Sequence, residues 1–218
     1  MRYQSIILAA ATVASVSARA HMPLSKREEV NDPNGNIKIT FSDETVKLGT
    51  ITIETIIDAL AKACSTQGQC DTSALEFKGQ LVESGTGSVT DETLTVDPSG
   101  AYPTWIHNGL IDSLYAAVKA IAKCEDVTNT PTCGFSAYYC PSKPFTVTEC
   151  VVPQYWGINY QAPDATNAAP PFIGADMHIT LDEGGFCTTL LTSLGAVAGA
   201  VHGVGGGIFT LLSLACKD

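Results

Sequence analysis

Arginine is scarce in this chain. Its three copies, Arg2, Arg19 and Arg27, all fall in the first 27 of 218 residues. Charge of either sign is sparse at 16% of residues, and 22 acids face 12 bases. Such a surface repels phosphate backbones, and beyond residue 27 it lacks the planar guanidinium that usually clamps them, so no nucleic-acid partner is expected. No Cys-x-x-Cys pair occurs, so the cysteines do not have the spacing of a zinc site. No Asn-x-Ser/Thr sequon occurs, and N-glycosylation is not expected. No Gly-x-Ser-x-Gly turn is available to hold a strained nucleophile. The run "DPNGNI" at 32–37 begins like a calcium loop but has Ile37 where that loop requires glycine. No metal or cofactor is expected from these patterns.

The N-terminal residues read as an address. Arg2 precedes a short apolar run over Ile6–Val16, and small residues permit cleavage after Ala18 or Ala20, which gives a signal peptide over 1–20. Lys26-Arg27, the only dibasic pair, follows within a few residues. It resembles a kexin-type processing site, which makes 21–27 a propeptide. The mature chain, 28–218, then keeps eight lysines, no arginine and all 22 acids, a formal charge of −14.

The eight cysteines all lie in that mature part: Cys64, Cys70, Cys124, Cys133, Cys140, Cys150, Cys187 and Cys216. An even number behind a secretion signal reads as disulfides in an oxidising compartment, with connectivity left open. The length can bury a real core in one domain, so the bridges add to the core and do not replace it.

Periodicity gives the elements. Ile37, Ile39 and Phe41 alternate with polar residues as a half-buried strand. Ile53, Ile56, Ile57, Leu60 and Cys64 form a helical stripe that Thr50 or Thr52 can cap. Residues 75–97 read as a hairpin around "SGTGS". Leu110, Ile111, Leu114, Val118 and Ile121 line a second helix that starts after Pro103-Thr104 and ends at Cys124. "FTVTECVV" and "IGADMHITLD" read as strands. The class expected is α+β: an antiparallel or mixed sheet with two to three helices packed on one face, disulfide-stabilised.

The C-terminal tract poses the main question. Thr188–Cys216 carries no formal charge, and Gly195, Gly199 and Gly203 make two overlapping G-x-x-x-G spacings on the small side of a helix. The tract exceeds the ~20 apolar residues that span hydrocarbon. Glycines at 203 and 205–207 interrupt it, however, and each costs a helix roughly 1 kcal/mol relative to alanine. The reading adopted is a helical hairpin over 186–216, with a helix at 186–202 and a second short element at 208–216, sheltered by the rest of the molecule. A membrane-active segment and a lipid-linked or spanning tail that starts near "DEGG" at 182–185 are the competing readings.

Chemistry-bearing residues are few. His178 with Asp176 is a two-ligand fragment at most, and outer-face solvation accounts for both. His107 opens a helix and His202 lies in the glycine-rich tract. Asp182-Glu183 and Asp91-Glu92 are adjacent acids of the kind used in glycoside hydrolysis, but they read as turn residues at element ends. Tyr155, Trp156 and Tyr160 in "QYWGINY" are a candidate ligand contact, set against a core or interface plug.

In signal, dibasic cut, cysteine content and absence of a catalytic constellation, the organisation resembles small cysteine-rich fungal effectors and killer toxins. That resemblance implies a secreted, extracellular, non-enzymatic protein that acts in virulence or microbial antagonism on an unknown protein, glycan or membrane target. The alternatives carried forward are a membrane-active toxin that inserts 186–216, and a cell-wall polysaccharide binder or hydrolase that uses Trp156.

Overall fold

Strict alternation makes Ile37–Ser42 the first strand, β1, with Ile37, Ile39 and Phe41 fully enclosed. The computed structural model describes residues 35–65, 67–82, 89–129, 143–161, 170–178, 194–204 and 209–217. The leader, the Lys26-Arg27 cut, Cys133, Cys140, Cys187 and Asp182-Glu183 lie outside the described residues.

After β1 the chain forms β2 (Thr45–Lys47), α1 (Ile53–Ala63), β3 (Leu75–Val82), β4 (Val89–Ala101) and α2 (His107–Ile121). It continues as β5 (Lys123–Asn129), β6 (Phe145–Pro153), β7 (Tyr155–Tyr160), β8 (Phe172–His178), α3 (Leu194–His202) and β9 (Leu211–Lys217). Six strands form one sheet in the order β3-β4-β8-β7-β1-β9, and three form a second, β2-β6-β5. Every described pairing is antiparallel except β1 with β9, which is parallel. The mixed α+β class expected from the sequence is the class observed.

The apolar stripes behave as their spacing requires. Thr52 caps α1, its hydroxyl accepting from the Thr55 amide at 3.2 Å, and Ile53, Ile56, Ile57 and Leu60 face inward. Leu110, Ile111, Leu114, Val118 and Ile121 of α2 join the same core, against Trp156, Ile158, Ile173, Ala175 and Met177 from β7 and β8. Two local bridges staple the edges of this body. Cys64 at the end of α1 bonds Cys70, and Cys124 of β5 bonds its cross-strand neighbour Cys150 on β6. Cys64 therefore ties the helix end to the turn that follows it.

The C-terminal tract differs from the expectation in its second half. Helical spacing holds over Leu194–His202, where Val197 and Val201 are fully buried. The element after the glycines is a strand, β9, which adds to the sheet beside β1. The two do not make a helical hairpin. Parallel pairing with β1 satisfies the backbone of "LLSLACK" while Leu211 and Leu214 enter the core. Among the described residues no helix is long and apolar enough to cross a membrane.

The glycines of the two helices are not equivalent. A Cβ at Gly109 in α2 would lie 1.9 Å from the ring of Phe209, which is itself enclosed. Nothing lies within 4 Å of a Cβ at Gly195 or Gly199, so among the described residues no other element closes on this part of α3. Gly109→Ala is therefore expected to cost about 1–3 kcal/mol through overpacking. Gly199→Ala is expected to gain about 0.5–1 kcal/mol by restricting the unfolded chain. Urea unfolding of both variants measures this pair, and equal effects of one sign would contradict the packing described.

Candidate functional site

The tyrosines and tryptophan of "QYWGINY" do not form one patch, because they are strand residues. Alternation along β7 sends Trp156 inward and Tyr155 outward. Trp156 is 0% exposed, and its indole Nε1 donates to the Pro153 carbonyl at 2.7 Å. It is a core plug, and no sugar ring can reach it. The ring of Tyr155 lies over glycines on β7 and β8. A Cβ at Gly157 would sit 2.7 Å from its hydroxyl oxygen, and one at Gly174 would sit 3.1 Å from it. Burial first, and the Asp176 carboxylate second, push the Tyr155 phenol above its ordinary value.

Tyr160, at the end of β7, takes part in a different aromatic group. Its ring meets Trp105 edge-on, with centroids 5.8 Å apart at 84°, and meets Phe209 at 6.2 Å. Trp105 stands in the 3-10 turn Thr104–Ile106 that leads into α2, and it is 69% exposed. Its neighbour Ile106 extends the buried stripe of α2 one turn backwards, which leaves Trp105 out of phase with the core. This phase is legible in the sequence, because Trp105 falls one position before the Ile106, Leu110, Leu114 stripe. The indole is therefore exposed to solvent with the Tyr160 ring edge-on beside it.

A second group lies where the two sheets meet. Glu149 of β6 has no exposed side-chain surface, and its Oε1 accepts from the Val82 amide of β3 at 2.7 Å. Lys47 Nζ of β2 stands 2.6 Å from its Oε2, as an ion pair and not an aligned hydrogen bond. Glu92 of β4 joins this pair. Both of its oxygens are enclosed without a hydrogen-bond partner. Burial, then the Glu149 carboxylate, push its carboxyl above the ordinary glutamate value, and Lys47 opposes them.

The adjacent acids Asp91-Glu92 are thus not turn residues. They sit within the 13-residue strand β4 and point to opposite faces. Asp91 faces out and accepts from Gln80 Nε2 at 2.8 Å, while Glu92 shares the inward face of Leu94 and Val96. Glu149 likewise sits in phase with Val147 and Val151 in "FTVTECVV". Nothing in the sequence points to Lys47 as their partner, since β2 is only three residues long.

The histidines remain apart from each other. His178 Nε2 lies 2.8 Å from Asp97 Oδ2 on the neighbouring strand, an exposed pair that replaces the contact with Asp176 considered from sequence. His107 is buried at the start of α2 beside Asn108, with its Nε2 unpartnered. His202 is exposed at the end of α3. Among the described residues no three His, Cys, Asp or Glu side chains converge on one ion position. No family model, no curated protein and no solved structure matches this chain.

Proposed function

We propose that the protein is secreted, is matured at Lys26-Arg27, and acts outside the cell by binding a target rather than by turning over a substrate. This is the mode of the effectors and killer toxins that its organisation resembles. The observation that carries the reading is Trp105, a large apolar side chain presented to solvent with an aromatic ring edge-on beside it. Exposed aromatics of this kind are the commonest anchors of binding surfaces. The two local disulfides and the acidic composition suit a small protein that must survive outside the cell. Glu149, by contrast, is fully enclosed, and the oxygens of Glu92 are covered although its side chain borders an open groove.

The membrane-active alternative loses support from the packing of the tract. Val197, Val201, Phe209, Leu211 and Leu214 are already buried in the core. Insertion would have to pull β9 out of the sheet.

Two measurements test the proposal. Intact mass of protein from culture supernatant is expected to match a chain that begins at Glu28 with all eight thiols oxidised. Binding of labelled protein to intact microbial cells, chitin and glucans is expected to fall at least about tenfold in Trp105→Ala, as for an anchor residue. Thermal stability of that variant should be unchanged, since the side chain is mostly in water. Equal binding by wild type and Trp105→Ala would remove the anchor. Dye leakage from liposomes would return the membrane reading.

A further inference from the structure

The two sheets are joined by charge as well as by chain. Glu149 is rooted in the small sheet and reaches the Val82 amide at the end of a strand of the large sheet. Lys47, also in the small sheet, neutralises it. Glu92 approaches from the large sheet beneath the turn 48–50. There Gly49 has φ +54°, and a Cβ on it would lie 3.0 Å from Glu92 Oε1 and 2.3 Å from the Gln80 carbonyl. Only glycine tolerates both the conformation and the crowding. The turn therefore closes over the carboxyl.

The balance of charge at this junction depends on one proton. With Glu92 neutral, one ammonium faces one carboxylate, and the two enclosed, unpartnered oxygens of Glu92 carry no charge. With Glu92 ionised, two carboxylates share one ammonium, and no donor is left for the enclosed oxygens of Glu92. We propose that Lys47, Glu92 and Glu149 form a proton-operated latch between the two sheets, closed when Glu92 carries its proton and loosened when it loses it.

The surrounding charges do not cancel this effect. Lys78 and Asp91 line the outer rim of the same groove, and Asp91 is engaged by Gln80. Lys123 and Glu125 of β5 share the face of Glu149 and are exposed. The turn 48–50 brings no charge. The sign follows from the direction of the shift. Glu92 is raised above its ordinary value of 4.5, so its contribution is fully present below that pH and is lost as pH rises through the folded-state value. Glu54 is lowered, chiefly by the Tyr115 hydroxyl, and Asp71 is lowered by the Ser73 amide. Both act in the opposite sense on the acid side, and neither is touched by a substitution at Glu92. The latch holds below the ordinary glutamate value and slackens as pH rises through the folded-state value of Glu92.

Glu92→Gln reproduces the protonated form permanently. Melting of the full mature chain is compared for wild type and variant from pH 4 to pH 7.5. The two are expected to melt within about 1 °C of each other at the acid end, with the variant higher by roughly 2–4 °C at the neutral end, the shift of a single modest stabilisation in a domain of this size. A difference that is constant with pH, or a variant that is less stable at pH 7.5, overturns the latch. Amide exchange at Val82, corrected for the intrinsic pH dependence, gives a reading that needs no variant. Its protection is expected to fall several-fold between pH 5 and pH 7.5 in wild type. A flat profile overturns the latch whatever the variants do.

Discussion

Trp156→Ala is expected to cost about 3–5 kcal/mol, enough to leave a domain of ordinary stability partly unfolded. The indole is fully enclosed on β7, a strand hydrogen-bonded on both sides, to β8 and to β1. Its removal opens a cavity against Ala175 and Phe41, the cross-strand partners of position 156 on β8 and β1. It also strips the Pro153 carbonyl of its donor. Trp156→Phe keeps much of the volume and loses only the hydrogen bond and part of the ring, so it is expected to cost markedly less. Urea unfolding supplies the free energies. The chain has two tryptophans, so fluorescence separates them. Iodide should quench Trp105 readily and Trp156 barely, and each single variant should retain only one of these behaviours. A cost under about 1 kcal/mol for Trp156→Ala would mean that the indole is not the core plug described and would reopen the sugar-binding reading.

The contrast between the two tryptophans shows what could be read from the sequence. Elements with one wet face were legible: β1, α1, the β3–β4 hairpin, α2, β6 and β8 all show the period of their structure, because half of each remains polar. Elements whose order comes from neighbours were not. Strand β7 is central, and three of its six residues, Trp156, Gly157 and Ile158, are buried in sequence. Its alternation is masked, so its aromatics read from sequence as either a ligand contact or a core plug. Strand β5, "KCEDVTN", has almost no apolar phase and is held by pairing with β6 and by the Cys124–Cys150 bridge. Strand β9 is a short apolar run after glycines, a pattern that fits helix and strand alike until a partner is known. That partner, β1, lies more than 170 residues earlier in the chain. The candidate site follows the same rule. Glu92 and Glu149 sit in apolar phase and can be found by that anomaly, whereas their cation sits on a strand too short to have a phase.

The second large effect is expected at that cation. Lys47→Met should cost about 3 kcal/mol, because it leaves the fully buried Glu149 with the Val82 amide as its one hydrogen-bond donor among the described residues. The ammonium itself is 29% exposed, so its own desolvation is modest, and the loss falls mainly on the carboxylate it deserts. Glu149→Gln keeps an acceptor for Val82 but leaves the lysine without its counter-charge. The double variant Lys47→Met with Glu149→Gln removes both charges and keeps the bond to Val82. It should therefore be more stable than the sum of the single losses predicts, by about 1–2 kcal/mol of coupling. High salt should change this coupling little, since the pair is mostly shielded from solvent. The ion pair of Lys119 with Glu54, half exposed on both sides, is the natural control, and the coupling between its two charges should stay under about 0.5 kcal/mol. Strict additivity in the Lys47–Glu149 cycle would show that the two charges do not act on one another, and the junction between the sheets would then rest on packing alone.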